Sequence, residues 1–328
     1  MTGTERPKRT IGRLMTLVRM PVCVLLVGLL CSSLYALQQH RANNRLAQER
    51  LFRASQEMAD TLSRRLYSYE HGLRGMRGVI ITAGEHGINR RVVSRYNQSR
   101  SIDREFPGVR GFGFIRRVPA DGVDAFVETA RQENPRFAVR IIADNPAESY
   151  IIQYIEPVRH NRQAVGLDIA SEPHRWLAAT RSARSGNPTL TGPITLVQAK
   201  NVPQRSFLIL LPAYREGLPM ATPYQREKAV FGWAYAPVIS DEVIHAIGLN
   251  EQDYALSIAD IGDGGELDPF YRSPQPDADI VPGLARSMRR NILGRQWLIE
   301  VQARQGFLTD LNLRSPWLSY LYGILSTL

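Results

Sequence analysis

Cysteine is almost absent from this sequence of 328 residues, which contains only two. Both, Cys23 and Cys31, lie within a single apolar segment, residues 20–37. The rest of the chain therefore has no disulfide and no thiol chemistry. Its fold must be stabilised by a hydrophobic core alone, and a chain that is 44% hydrophobic and 22% charged is long enough to form one.

The motifs of common metal and nucleotide sites are also missing. The sequence has no HExxH pair, no P-loop, no GxSxG elbow, and no GxGxxG after a predicted strand. Its six histidines are dispersed, with no pair at the spacing of metal ligands: His40, His71, His86, His160, His174 and His245. The sequence therefore predicts no cofactor, no metal site and no catalytic residue.

Basic residues outnumber acidic ones, giving a formal net charge of +10. There is no lysine-rich tract and no basic groove with interleaved aromatic residues, which argues against nucleic acid as a partner. An arginine-rich, solvated surface beside a membrane is the interpretation that the charge favours.

A membrane anchor is predicted near the N-terminus. Residues 20–37 (MPVCVLLVGLLCSSLYAL) carry no charge and are about as long as a membrane-spanning helix requires. Five basic residues and one acid precede them, so the positive-inside rule places residues 1–19 in the cytoplasm and residues 38–314 outside the plasma (inner) membrane. The alternative is a cleaved signal peptide, whose cleavage site at Leu34-Tyr35-Ala36 would match the small-x-small pattern poorly.

The C-terminal segment, residues 315–328 (SPWLSYLYGILSTL), is uncharged, apolar and rich in aromatic residues. We expect it to be the start of a second transmembrane helix in a longer protein. A terminal core helix is the alternative.

Residues 38–83 predict one long stalk helix. They contain neither proline nor a turn cluster, and apolar residues recur at steps of three, four and seven. These residues form an apolar stripe along one side of the helix. The stripe can pack on the protein's own domain, on a second copy of the chain in a homodimer, or on both in turn. Its members are Leu51, Met58, Leu62, Leu66, Leu73, Met76 and Ile80.

The remaining pattern of short helices and antiparallel-type strands, which include strands at 136–142 and 189–197, predicts an α+β fold. The proline-containing loop at 217–223 is the best candidate boundary, which divides the region into residues 84–218 and 219–314. In the segment VGLDIASEPHRW (165–176), Ser171 is predicted to cap a helix that has Pro173 in its first turn, buries Trp176 and ends at Gly186.

A series of motifs in fixed order resembles the CHASE family, the extracellular sensory domain of receptor histidine kinases and diguanylate cyclases. These motifs are FPGVRGFGFIRRV (106–118), YIEP (154–157), NRQAVGLDIASEP (161–173), TLTGPITLVQ (189–198), LLPAYR (210–215) and VFGWAYAPV (230–238). The resemblance extends over about residues 74–247. It implies a stalk helix carrying two PAS-like domains between two transmembrane helices, a distal ligand site and a C-terminal cytoplasmic output domain.

The resemblance also implies ligand-binding positions. In plant cytokinin receptors an aspartate after the LD motif, a leucine backbone and a threonine hold an adenine-type ligand. These positions fall here on Arg175, Val197 and Leu210. Thr191 matches a further threonine that lines the ligand pocket in the family. A guanidinium only donates hydrogen bonds, so Arg175 suits a small ligand with carboxylate or phosphate oxygens, unless its side chain points to solvent.

Three functions remain open from the sequence. The chain is the sensory part of a receptor, a membrane-tethered periplasmic hydrolase that uses Asp168, Glu172 and His174, or a binding scaffold without signalling output. The resemblance favours the sensor.

Overall fold

The computed structural model describes residues 8–143, 148–196, 205–275 and 277–325. The first element, α1, is an 80-residue helix, Lys8–Gly87. At about 1.5 Å per residue it is roughly 120 Å long. Gly84, with φ 74° and ψ 168°, interrupts the helical geometry just after the predicted stalk.

The N-terminal part of α1 presents apolar side chains to solvent, including Val24, Leu26, Val27 and Leu30. In the ranges that the structure describes, α1 is the one helix both long and apolar enough to cross a membrane. An apolar surface of this extent on a soluble domain would favour aggregation, so a membrane span accounts for it more simply.

The larger of two sheets has six strands, all antiparallel, in the order β2-β1-β6-β5-β3, with β4 also pairing with β5. The strands are β1 (Phe112–Pro119), β2 (Glu148–Glu156), β3 (Thr189–Leu190), β4 (Ile194–Thr195), β5 (Arg205–Tyr214) and β6 (Val230–Ile239). The helices in this region are α2 (Arg90–Gln98), α3 (Ile102–Glu105), α4 (Val123–Glu133), α5 (Val158–Asn161), α6 (Pro173–Ser185), α7 (Pro223–Ala229) and α8 (Ser240–His245).

The second sheet has four strands in the order β8-β7-β10-β9, again antiparallel. They are β7 (Tyr254–Ile261), β8 (Leu267–Arg272), β9 (Ile280–Ile292) and β10 (Arg295–Arg304). Helices α9 (Gln305–Asp310) and α10 (Pro316–Leu325) follow, and α10 packs against α1. The fold is therefore α+β with a long N-terminal helix, as the sequence predicts.

The boundary between the two sheets differs from the predicted boundary at residues 218 and 219. Strand β6 lies after that boundary in sequence, yet it pairs with both β1 and β5 at the centre of the first sheet. The loop at 217–223 therefore connects two neighbouring strands of one sheet, and the chain leaves that sheet only after Ile239.

Two predicted strands also differ. Residues 136–142 make no ladder, since only an isolated bridge joins Arg140 to Leu167. The predicted strand at 189–197 is divided into β3 and β4 by Gly192 and Pro193. Proline has no N–H to give to a ladder, which interrupts the pairing at that point.

The apolar stripe of α1 packs on the protein's own two sheets. Leu51, Leu62, Leu66, Leu73 and Met76 are buried in one core cluster with residues from both sheets. Among the three arrangements that the sequence leaves open for this stripe, the structure shows packing on the same chain.

The first sheet separates two apolar layers because its strands alternate. On β6, Ala234, Ala236 and Val238 belong to the cluster with α1. Trp233 and Tyr235 belong to the cluster on the opposite face, beneath α6. The apolar layer beneath α6 is thus separated from the stalk helix by the thickness of the first sheet.

The two sheets contact each other through an aromatic group. The rings of Phe207 on β5, Phe270 on β8 and Trp297 on β10 lie 4.7–5.2 Å apart by centroid. The main-chain N–H of Leu190 also donates to the carbonyl of Leu293, at 2.9 Å. Together with α1, these contacts join the sheets into one packed unit.

Candidate functional site

Helix α6 begins at a different cap from the one predicted. The carboxylate of Glu172 accepts hydrogen bonds from the main-chain N–H groups of His174 and Arg175, at 3.1 and 3.0 Å. Ser171 instead ends a short 3-10 turn, and its hydroxyl accepts from the N–H of Ile142. Carboxylates are favoured at a helix N-terminus by its dipole, so Glu172 is the natural cap.

The carboxylate of Asp168 has a structural role. It is buried and accepts hydrogen bonds from the N–H groups of Tyr150, at 2.8 Å, and Ala170, at 2.9 Å. Neither Asp168 nor Glu172 forms an ion pair or side-chain hydrogen bond with the His174 ring in the described ranges. Both carboxylates suggested for a hydrolase are thus engaged by main-chain N–H groups.

Arg175 follows this cap directly and is only 3% exposed. One guanidinium nitrogen, Nη2, donates to the carbonyl of Thr195 at 3.1 Å. Another, Nε, lies 3.6 Å from a carboxylate oxygen of Glu172 and has no hydrogen-bond partner among the residues that the structure describes. Burial lowers the pKa of Arg175, and the nearby Glu172 carboxylate opposes that change. The side chain faces the interior, not the solvent.

A second unpartnered donor, missed from the sequence, lies close by. Tyr235, on β6, is 1% exposed, and its hydroxyl has no hydrogen-bond partner in the described part of the chain. Burial raises the pKa of this phenol well above its ordinary value, while the Arg175 charge acts in the opposite direction. The alternation along VFGWAYAPV, with Trp233 and Tyr235 on one face, is the signal by which the sequence could have located it.

Arg175 and Tyr235 line the same cavity, which has a volume of about 10 Å³. That is about the space of a single water molecule. The remaining wall is apolar and consists of Ile152, Ala164, Leu167, Leu196, Leu208 and Pro237. Two polar donors without acceptors in an apolar cavity are unusual, because buried polar groups in native proteins are nearly always paired.

Of the other predicted site residues, Thr191 and Leu210 do not line this cavity. Thr191 is buried, but its hydroxyl and its N–H both bond to the main chain of Leu208, each at 3.0 Å. Leu210 is buried on β5, opposite Thr189. Val197 lies outside the described residues.

Comparison with protein families bears directly on this region. A CHASE domain model matches residues 86–271, which is more than half of the chain. The chain belongs to the CHASE domain family. CHASE domains are sensory modules of signalling receptors, so the chain carries such a module. No significant match to a curated protein was found.

Two glycines of the CHASE motif FPGVRGFGFIRRV shape the cavity region. At Gly111, with φ 129°, a Cβ would lie 1.8 Å from the carbonyl oxygen of Glu156. At Gly113 a Cβ would lie 2.3 Å from the carbonyl oxygen of Tyr154 and 2.4 Å from the Tyr235 ring. Only glycine allows this approach of β1 to β2 while leaving the Tyr235 ring in place.

Proposed function

We propose that the chain is the extracytoplasmic ligand-sensing part of a transmembrane receptor, with a small molecule bound between α6 and the first sheet. One observation carries this proposal: the unpartnered donors of Arg175 and Tyr235 line a single buried cavity. Membership of the CHASE family supports the sensory role.

The ligand has an oxyanion, a carboxylate or phosphate, beside an apolar body. Arg175 Nε and the Tyr235 hydroxyl are both donors, so a bound ligand must supply acceptors to both. The apolar wall favours an uncharged remainder. An adenine-type ligand, which relies on a carboxylate of the protein, would place its own N–H donors against these two donors.

The present cavity is closed. A ligand of any size requires that α6 move away from the first sheet, so binding selects an open form over a closed one. Each tenfold difference in affinity between the two forms shifts their balance by about 1.4 kcal/mol. Because α1 packs on the other face of the same sheet, such a shift changes the surface against which the stalk is held.

The membrane arrangement follows from the apolar part of α1 and from α10 beside it. We place residues 1–19 in the cytoplasm, residues 38–314 outside, and the segment beginning at 315 in the membrane. Five basic residues before the first span support this orientation. In this proposal both sheets are PAS-like, the receptor is a homodimer, and a histidine kinase or diguanylate cyclase follows the second span.

Thermal unfolding of the full chain in non-ionic detergent tests the site. Carboxylates and phosphate monoesters are screened for those that raise the Tm of the parent. Arg175→Met is compared with Arg181→Met, a change on the same helix at a solvent-facing ion pair with Asp263. Loss of the Tm increase in Arg175→Met, with retention in Arg181→Met, is the expected result.

Two outcomes would contradict the proposal. If no screened compound raises the Tm of the parent, this anionic-ligand assignment fails. If Arg175→Met responds as strongly as Arg181→Met, the ligand binds elsewhere on the chain.

A further inference from the structure

A second, open cleft lies at the outer edge of the first sheet, where β2 meets the end of α4. Its volume is about 690 Å³, within the range of roughly 300–1,000 Å³ that holds small organic ligands. None of its wall residues belongs to the Arg175 cavity. It is therefore a separate site.

Four arginines line this cleft, which we call the arginine cleft: Arg90, Arg136, Arg140 and Arg162. The wall contains only two acids, Glu133 and Glu156, so the charged wall residues sum to about two positive charges. A concave surface with an excess of one sign of charge raises the local concentration of ligands of the opposite sign.

Both acids are already engaged. A Glu133 oxygen accepts a hydrogen bond from the Tyr154 hydroxyl at 2.9 Å. Glu156 forms an ion pair with Arg90 at 2.8 Å and also accepts from the N–H of Val158 at 2.9 Å. Glu156 is therefore paired with Arg90, and Glu133 forms no ion pair with the other arginines of the cleft in the described ranges.

The remaining arginines have two different roles. Arg140 donates to the carbonyls of Gln163 and Val165 and holds the wall in place. The exposed guanidinium groups of Arg136 and Arg162 have neither a hydrogen bond nor an ion pair in the ranges that the structure describes. Their planar forks suit the two oxygens of a carboxylate or phosphate.

An irregularity in the sheet contributes to the floor of the cleft. The pairing of β1 with β2 shifts register so that Gln153 has no partner between Ile152 and Tyr154. A bulge of this kind redirects neighbouring side chains. Gln153 Nε2 donates to the Tyr154 hydroxyl at 3.1 Å, which completes a hydrogen-bonded chain to Glu133.

Most of the remaining wall is apolar, with Asn134 as a polar exception. Phe137 and Ile155 are buried beneath it, and Val158 and Val165 complete the surface. We infer that the arginine cleft binds a small organic anion that combines an apolar body with a carboxylate or phosphate held by Arg136 and Arg162. This site is independent of the proposed ligand cavity at Arg175.

Calorimetric titration of the full chain in non-ionic detergent tests this inference. The probe is phenyl phosphate, with inorganic phosphate and phenol as the charge-only and ring-only comparisons. The double variant Arg136→Gln/Arg162→Gln removes the two unpaired groups. The matched control Arg50→Gln/Arg53→Gln removes two charges from α1. Circular dichroism checks that both remain folded.

We expect saturable binding of phenyl phosphate to the parent and the control, weakened at least tenfold in Arg136→Gln/Arg162→Gln. Binding must persist in Arg175→Met, which distinguishes this site from the closed cavity. Absence of saturable binding to the parent, equal affinity in both double variants, or loss of binding in Arg175→Met alone would each overturn the inference. Equal affinity for inorganic phosphate would also do so, since the apolar wall would then have no role.

Discussion

The side-chain amide of Asn43, on α1, donates a hydrogen bond to the main-chain carbonyl of Arg314 at 2.8 Å, although the residues are 271 positions apart. Asn43 lies a few residues after the apolar part of α1, and Arg314 lies just before α10. The chain therefore enters and leaves the two-sheet region at one place. In the proposed receptor, a signal would reach the membrane as a relative movement of α1 and α10 at this point.

Cross-linking checks that juxtaposition. In a chain with Cys23→Ser and Cys31→Ser, the pair Asn43→Cys/Arg314→Cys is expected to react with a short thiol-specific bifunctional reagent within one molecule, which mass spectrometry detects. The pair Arg64→Cys/Arg314→Cys is the control, because Arg64 lies about 31 Å further along α1. Equal intramolecular yields from both pairs would show that the helix base and the exit are not held together.

The burial of Leu66 in α1 leads to a prediction on stability. Its side chain lies in the core shared with both sheets, so Leu66→Ala is expected to lower the free energy of unfolding by about 2–5 kcal/mol. Phe52→Ala, at an exposed position of the same helix, is expected to change it by less than about 1 kcal/mol. Denaturant titration of both variants gives these values.

The same measurement separates packing within one chain from packing between chains. Because the stripe is covered by its own sheets, the effect of Leu66→Ala is expected to be independent of protein concentration. A loss of stability that disappears at high concentration would place Leu66 in a homodimer interface instead.

Gly111 has crowded surroundings and Gly78 has open ones, so substitutions at these two positions can be compared directly. Gly111 has φ 129° and no room for a Cβ, so Gly111→Ala is expected to be strongly destabilising or to prevent folding. Gly78 is exposed on α1, and a Cβ added there would meet no other atom within 4 Å. Gly78→Ala is therefore expected to stabilise the protein by up to about 1 kcal/mol. Equal Tm values for the two variants would refute this account of the CHASE glycines.

The sequence was sufficient to predict the features that depend on local pattern. The period of the α1 stripe predicted a long helix, and Gly186 was predicted to end α6, where it has φ 78°. Features that depend on packing were missed. Trp176, predicted to be buried, is 43% exposed, whereas Arg175 beside it is buried. Adjacent residues on a helix point about 100° apart, so the rotation of α6 about its axis decides whether Arg175 or Trp176 is buried. The pattern PHRWLAATR is compatible with either orientation.

The position of β6 was missed for a similar reason. A strand of apolar residues after a proline-containing loop is equally compatible with the start of a new domain and with the centre of the previous sheet. The pairing of Phe114 with Ala234 and of Leu211 with the same residue settles the choice, and no local signal predicts such long-range pairs. The strand itself was predicted, but Tyr235 went unrecognised because the sheet to which its strand belongs was not.

Tyr235→Phe provides a prediction specific to the candidate site. The hydroxyl has no hydrogen-bond partner among the described residues, so removing it takes no hydrogen bond from that part of the fold. Near pH 8, Tyr235→Phe is expected to match or exceed the parent in free energy of unfolding. The same variant is expected to lose the Tm increase that a ligand gives to the parent, because the bound oxyanion loses one donor.

The pH dependence of Tyr235→Phe adds a second readout. Burial raises the pKa of Tyr235 in the folded protein, while the unfolded chain loses this proton near its ordinary value of about 10. Above that value the folded state binds more protons than the unfolded state, so stability falls as pH rises. The parent is therefore expected to lose up to about 1.4 kcal/mol more per pH unit than Tyr235→Phe between pH 10 and 11. If Tyr235→Phe kept the pH dependence of the parent, the Tyr235 phenol would be accessible to water, and the cavity would not be the closed, donor-lined site on which the proposed ligand class depends.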